Sequence, residues 1–295
     1  MSSQTTPDLV LSPDRHTLDF RADHAPTARV ASGSVIRFET GDIAYERLSK
    51  GETVEQIGLE TFNRVTGPVF VEGAEPGDAI RVEILGIEIV RSWSVWLPGF
   101  GALGAFTQTV QAREIPLENG RAVISKRTSV PIEPMIGCIG LAPAEGVGST
   151  FMPAYHWGGN MDLREMSPGT VVDLPVQVPG GLLSIGDHHA AMGRGEPTWV
   201  SLESAGKSTV RVSLVKGAGI SHPVLRRDGS ILFVGMGADL AAAHQHAVDR
   251  AWTYLVGERG LEPFEAYAYA SARLEMRFGG PASAMVLAGL PEALD

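Results

Sequence analysis

A mainly β fold with α+β elements is what this sequence predicts, and three observations predict it. Its 35 glycines and 19 prolines are spread along 295 residues, breaking the chain into short segments of the kind that antiparallel sheets join by turns. Several of those segments alternate apolar and charged residues at the strand period of two. The three- and four-residue apolar steps of a long helix are best developed only beyond residue 238.

Val35–Thr40 carries β-branched and aromatic residues and meets a turn signal at Gly41-Asp42. Residues 68–73 and 79–85 flank Glu75-Pro76-Gly77-Asp78, and the second alternates apolar with charged side chains, so the pair reads as a hairpin with one buried face. Residues 171–178 continue the β pattern, with Pro175 and Pro179 arguing for an edge strand or irregular pairing. Residues 208–215 and 231–234 supply two more strands around the turn Arg226-Arg227-Asp228-Gly229. The best helix covers 238–256, where Leu240, His244, Ala247, Ala251, Trp252 and Leu255 recur at helical spacing and Gly257 and Gly260 stop it. A second helix over 263–272 leads to a strand at 274–278. The composition shift near residue 205 divides the chain into a β-rich region, 1–205, and a smaller α+β region, 206–295, packed as one unit.

A formal charge of -10 and the lack of basic clusters interleaved with aromatics oppose nucleic-acid binding. No apolar run approaches a membrane span, and the N-terminus lacks a basic stretch followed by an apolar one, so no membrane partner is expected. The single cysteine, Cys138, rules out an internal disulfide framework and fits a reducing, cytoplasmic setting.

Chemistry concentrates in Gly186-Asp187-His188-His189-Ala190-Ala191-Met192-Gly193-Arg194-Gly195-Glu196. On an extended strand Leu183, Ile185, Asp187 and His189 share one face. Asp187 and His189 can then grip one ion, and carboxylate with imidazole suits Zn²⁺ or a similar divalent metal. His188 points the other way, towards a supporting or substrate-contacting role. His156, beside Trp157 and just before Gly158-Gly159-Asn160, is a candidate pocket residue. His244 and His246 diverge around a helix and read as packing or surface, as do His16 and His24. Cys138 sits in Ile136-Gly137-Cys138-Ile139-Gly140-Leu141, a buried apolar segment that raises a thiol pKa and argues against a nucleophile. Trp93, Trp96, Phe100 and Phe106 suit a lid, a subunit interface or the core.

Around this cluster the chain resembles the acetamidase/formamidase family of metal-dependent amide hydrolases. The resemblance rests on Phe38-Glu39-Thr40-Gly41-Asp42, on Thr66-Gly67-Pro68-Val69-Phe70-Val71-Glu72-Gly73-Ala74-Glu75-Pro76-Gly77-Asp78, and on Met135-Ile136-Gly137-Cys138-Ile139-Gly140. It continues through Gly159-Asn160-Met161-Asp162 and Leu174-Pro175-Val176-Gln177-Val178-Pro179-Gly180. It implies a jelly-roll-like β region with a smaller α+β region, a homo-oligomer, and hydrolysis of a small carboxamide such as formamide or acetamide. It also implies Asp162 beside Asp187 and His189 as metal ligands, Asn160 as a substrate contact, and Glu72 or Glu196 as the proton carrier. A bound divalent ion, Zn²⁺ by its ligands, would polarise the carbonyl and lower the pKa of water towards ~7. Two departures stand out. Arg194 occupies a position where the family often carries an acidic residue, which bears on substrate charge. Asn63-Arg64-Val65 replaces a common His-Pro-Leu and bears on a loop near the site. The alternatives are a lactam hydrolase with the same chemistry, a noncatalytic metal-containing binding protein, and a cysteine-dependent amidase.

Overall fold

The computed structural model describes residues 6–294. In chain order the elements used below are β1 (Val35–Thr40), α1 (Ile43–Ser49), α2 (Val54–Ile57), β2 (Val65–Val71), β3 (Ala79–Trp96), β4 (Met135–Gly140) and β5 (Gly158–Asn160). They continue with β6 (Val171–Pro175), β7 (Leu183–His189), β8 (Leu202–Val215), β9 (Val224–Arg227), β10 (Ser230–Gly237), α3 (Leu240–Thr253), α4 (Pro263–Arg273), β11 (Glu275–Phe278) and β12 (Ala284–Pro291).

Period-two patterning builds the framework. In β8, Val210 and Val212 turn inward while Lys207, Thr209, Arg211 and Ser213 stay partly exposed, and the strand pairs with β3 from Leu202↔Ser94 to Val215↔Ala79. Together they anchor a sixteen-stranded, largely antiparallel sheet with the order β5-β4-β7-β8-β3-β6-β9-β10-β12-β11, joined from the side by β1 and β2. The fold is therefore mainly β with α+β elements. Its main core draws Phe38, Val82, Ile139, Leu174, Ile185, Val210 and Leu232 from successive strands, each fully buried side chain contributing about 1.5–3 kcal/mol. Because β8 runs through residue 205, the same sheet continues across that position.

Two expectations about pairing are corrected. The 68–73 and 79–85 segments do not form a hairpin: β2 pairs with β7 and with Ala28–Val30, while β3 pairs with β6 and β8. Val65, Val69 and Val71 bury β2 on both faces, so it takes an interior position rather than a half-exposed one. Nor is β6 at an edge, since β3 and β9 flank it. Pro175 is its last residue, where a missing N–H costs little.

The helical segment forms as α3, capped by the Asp239 side chain accepting from the Ala242 N–H at 2.8 Å. Ala243, Ala247 and Ala251 face inward, whereas Leu240 and Trp252 lie partly in solvent. Small residues are needed on both sides, because a Cβ on Gly235 of β10 would stand 2.3 Å from the Ala243 carbonyl oxygen. Among the described residues no helix is long and apolar enough to cross a membrane.

Candidate active site

The site is built by a change of neighbour along β7. One edge of that strand follows β4 throughout, with Cys138↔Gly186 and Ile136↔His188. The other edge pairs with β2 as far as Gly186↔Val65 and with β8 from His188↔Ser204 onward. Asp187 lies at the handover with φ +55°. Gly186 beside it must lack a side chain, because a Cβ there would be 2.2 Å from the Arg64 carbonyl oxygen.

Asp187 and His189 both line one cavity, and His188 lies outside it. His189 Nε2 is 3.4 Å from Asp187 Oδ1, 3.4 Å from Glu203 Oε2 and 3.8 Å from Asp162 Oδ1, with all four side chains buried. Asp162 follows β5 and Glu196 sits in the loop after β7, with φ +44° and +40°. Asn63 and Trp199, which also line the cavity, have φ +56° and +60°. Left-handed backbone at non-glycine residues costs about 1–3 kcal/mol each. Its concentration around one cavity shows that the surrounding fold holds these groups in place. Gly137 leaves the necessary room: a Cβ there would lie 2.5 Å from Asp187 Oδ2 and 2.6 Å from Asp162 Oδ1.

Electrostatics divide the carboxyls. Burial pushes Glu203 up, but the charge on His189 and hydrogen bonds from His189 and Ser201 outweigh burial and hold it below its ordinary value; the Ser201 N–H donates at 2.8 Å. Glu196 is driven well above its ordinary value by burial and by Asp162. Asp162 is raised to about 7 by burial and by Asp187, a shift that a hydrogen bond with Glu196 limits. Burial also raises Asp187, against the opposing pull of His189. Burial disfavours charge on His189, yet Glu203 and Asp187 overcome it and raise the imidazole well above its usual value.

Potential ligand atoms of Asp187, His189 and Glu203 lie within 4.8 Å of one another, and so do those of Asp162, His189 and Glu196. Each set includes a glutamate, so neither coincides with the expected Asp162, Asp187 and His189 trio. Glu203 was the residue that pattern reading missed: it faces His189 directly across β7 and β8. Its one sequence signal is placement next to Leu202 at the start of an alternating strand, which equally describes a solvent-facing glutamate.

Asn160 reaches the cavity, its Nδ2 donating to the Phe151 carbonyl at 3.0 Å while Oδ1 is buried without a partner. Asn63, at one departure from the family pattern, donates from Nδ2 to Asp187 Oδ2 at 3.2 Å.

Four other expected residues lie elsewhere. Glu72 is exposed in the turn after β2 and does not line the cavity. His188 is fully buried against Gly206 on the opposite side of the strand, and burial, aided by His189, pushes it down to about 3. His156 contacts Gln177 and the Trp157 ring outside the cavity. Arg194 pairs with buried Glu165 rather than Glu196, beside Arg164, Arg227 and Arg277. Cys138 is wholly buried, and burial pushes its thiol well up, leaving no thiolate for attack. The aromatic run divides between Trp93 in the core, Phe100 on the cavity, and Trp96 and Phe106 at the surface.

Comparison with known proteins places the fold and the sequence in one family. The Acetamidase/Formamidase family pattern matches residues 14–147 and 109–287. A formamidase of Methylophilus methylotrophus is 26% identical, covering 75% of this chain and 72% of its own. A putative formamidase of Schizosaccharomyces pombe is 46% identical over 59% of this chain and 57% of its own. The crystal structure of an acetamidase from Bacillus halodurans superposes with a TM-score of 0.90 at 31% identity, covering 95% and 96% of the two chains. A gamma lactamase from Delftia acidovorans shares the fold at TM-score 0.65 and 22% identity, over 94% and 88%. With the family pattern spanning both the sheet and the cavity residues, this chain belongs to the acetamidase/formamidase family.

Proposed function

We propose that this chain hydrolyses a neutral carboxamide to a carboxylate and ammonia at the buried cluster around His189. The observation that carries the reading is the gathering of Asp162, Asp187, Glu196 and Glu203 with His189 on one cavity, where burial raises Glu196 and His189 holds Glu203 below its ordinary value. Carboxyls pushed apart in this way separate a charge-holding role from a proton-carrying one.

The donor set fits a divalent cation. Four buried carboxyls surround one imidazole, and Asp162 Oδ1 and His189 Nδ1 are buried without partners. Asp187, His189 and Glu203 would hold the ion, with Asp162 facing it, and this mixture of oxygen and nitrogen donors suits Zn²⁺. When bound, such an ion supplies a Lewis acid for the amide carbonyl and acidifies water.

The chain's own residues handle the protons. Deprotonated Glu196 takes a proton from attacking water and returns it to the amide nitrogen as the C–N bond breaks. Asp162, hydrogen-bonded to Glu196, holds that carboxyl in place and strengthens its hold on the proton. The free Asn160 Oδ1 accepts a hydrogen bond from the substrate NH₂ group. Leu48, Val95 and Phe151 on the cavity wall exclude water and strengthen these interactions. Ammonia release from linear primary amides tests the reading, and failure with every amide overturns it.

A lactam is the second substrate reading, favoured by a cavity of about 420 Å³ that admits a ring. We also infer a homo-oligomer, because Leu103 and Phe106 are 50% and 75% exposed and association would cover them. A monomer by light scattering would contradict this. A cytoplasmic location belongs to the same reading, supported by the one unpaired cysteine; recovery only from the exported fraction would oppose it.

A further inference from the structure

The cavity is much larger than formamide or acetamide requires. Its volume, about 420 Å³, falls within the range of about 300–1,000 Å³ that accommodates drug-sized ligands. The polar groups cluster around His189. Apolar side chains line the remainder, including Leu48 of α1, Phe62, Val95, Phe100, Phe151 and Trp199. None of the lining residues is lysine or arginine, so the walls provide no counter-charge for an acidic substituent. Phe100 meets Trp199 edge to face with ring centroids 5.1 Å apart. The Trp199 N–H donates to the Glu196 carbonyl at 2.9 Å, so one turn carries both the proton-transferring carboxyl and part of the apolar wall.

A one-carbon acyl group would leave most of this wall against water. A longer group would displace that water and bury its own methylenes. We propose that the preferred substrate is a neutral primary amide whose acyl group is an apolar chain or ring of roughly five to ten carbons. The Phe100 and Trp199 rings grip the acyl group while the amide sits among His189, Asn160 and Glu196. This rests on the amidase reading and names its substrate class. The reaction remains a hydrolysis: water adds to the carbonyl, the C–N bond breaks, and nitrogen leaves as ammonia with the proton returned by Glu196.

The test is a series from acetamide through butyramide and hexanamide to phenylacetamide, measured in two ways. Ammonia release gives kcat/KM for the ion-loaded protein, and tryptophan fluorescence gives affinity for the chelated protein. The gain expected is on the order of fourfold per added methylene, and roughly 250-fold over the four methylenes from acetamide to hexanamide. Phe100→Ala and Trp199→Ala should each shrink the hexanamide-to-acetamide ratio. Highest kcat/KM with acetamide, or affinity that stays flat along the series, overturns the proposal and leaves the amidase reading standing. Ammonia from no amide, with affinity still rising along the series, overturns the amidase reading while supporting an apolar ligand.

Discussion

His189 and Glu203 stand directly opposite each other where β7 pairs with β8, with Nε2 3.4 Å from Oε2. The arrangement brings a carboxylate held below its ordinary value against an imidazole raised above its own. If these groups hold the ion, Glu203→Gln should reduce bound metal at least tenfold at fixed free Zn²⁺ while the far-UV spectrum stays unchanged. Undiminished metal content in the variant would remove Glu203 from the ligand set.

Glu196 and Glu72 should separate cleanly. Glu196→Gln is expected to lower kcat by about 10²–10⁴-fold, the usual contribution of a positioned acid or base, with metal still bound. Glu72→Gln, altering an exposed turn, should leave kcat within about twofold, as for a surface site far from such features. Ammonia assays alongside ion analysis check both, and unchanged turnover in Glu196→Gln would end its assignment as proton carrier.

Gly137 has no side chain because the site occupies that volume. A methyl group would meet Asp187 Oδ2 and Asp162 Oδ1 at 2.5 and 2.6 Å. Gly137→Ala should cost about 1–3 kcal/mol through overpacking and should lower metal affinity as the two carboxylates are displaced. Titration of the chelated variant with Zn²⁺ measures this; wild-type affinity would show that the carboxylates move aside without consequence.

Stability of the chelated protein should fall as pH rises above about 6.5, whereas below that value His188, pushed down to about 3 by burial, pulls the other way. Native Asp162 retains a proton up to about 7 that the unfolded chain releases near 3.8, so this site loses its stabilising contribution as pH passes about 7. His189 acts in the same direction: its stabilising contribution is fully present below 6.5 and is lost as pH passes its raised native value. Asp78, pushed down to about 2 by Lys216 and nearby N–H groups, acts only at much lower pH. Thermal unfolding in chelator at pH 6.5 and 8 should therefore give a lower Tm at the higher pH, with added Zn²⁺ restoring more stability there. A chelated protein that gains stability between these pH values would contradict the assigned shifts.

Alkylating reagents should leave activity intact, because Cys138 is wholly buried and its thiol is pushed well up by burial. Cys138→Ala should retain at least half of wild-type kcat/KM. A complete loss with the fold preserved would reopen covalent chemistry.

Period-two alternation made Asp187 and His189 legible as one pair and put His188 on the opposite side, because β7 remains extended despite the left-handed Asp187. The same rule concealed Glu203. A glutamate in an alternating strand looks solvated until the neighbouring strand is known, and the β7–β8 pairing is not encoded locally. Glu72 shows the converse error, since a glycine-rich family motif surrounds a turn that faces solvent. Arg194 reads in the sequence as a residue that bears on substrate charge, but it pairs with Glu165, 29 residues earlier, and does not line the cavity. The helix over α3 was readable from spacing and its Asp239 cap, whereas the partners of β2 depended on burial of both its faces.

Ammonia release from hexanamide, measured before chelation, after chelation, and after Zn²⁺ is restored, with bound ion quantified each time, decides whether the ion drives the hydrolysis. Turnover is expected with the ion bound, with loss on chelation and recovery on reconstitution. Full turnover by protein shown to be ion-free would contradict this dependence.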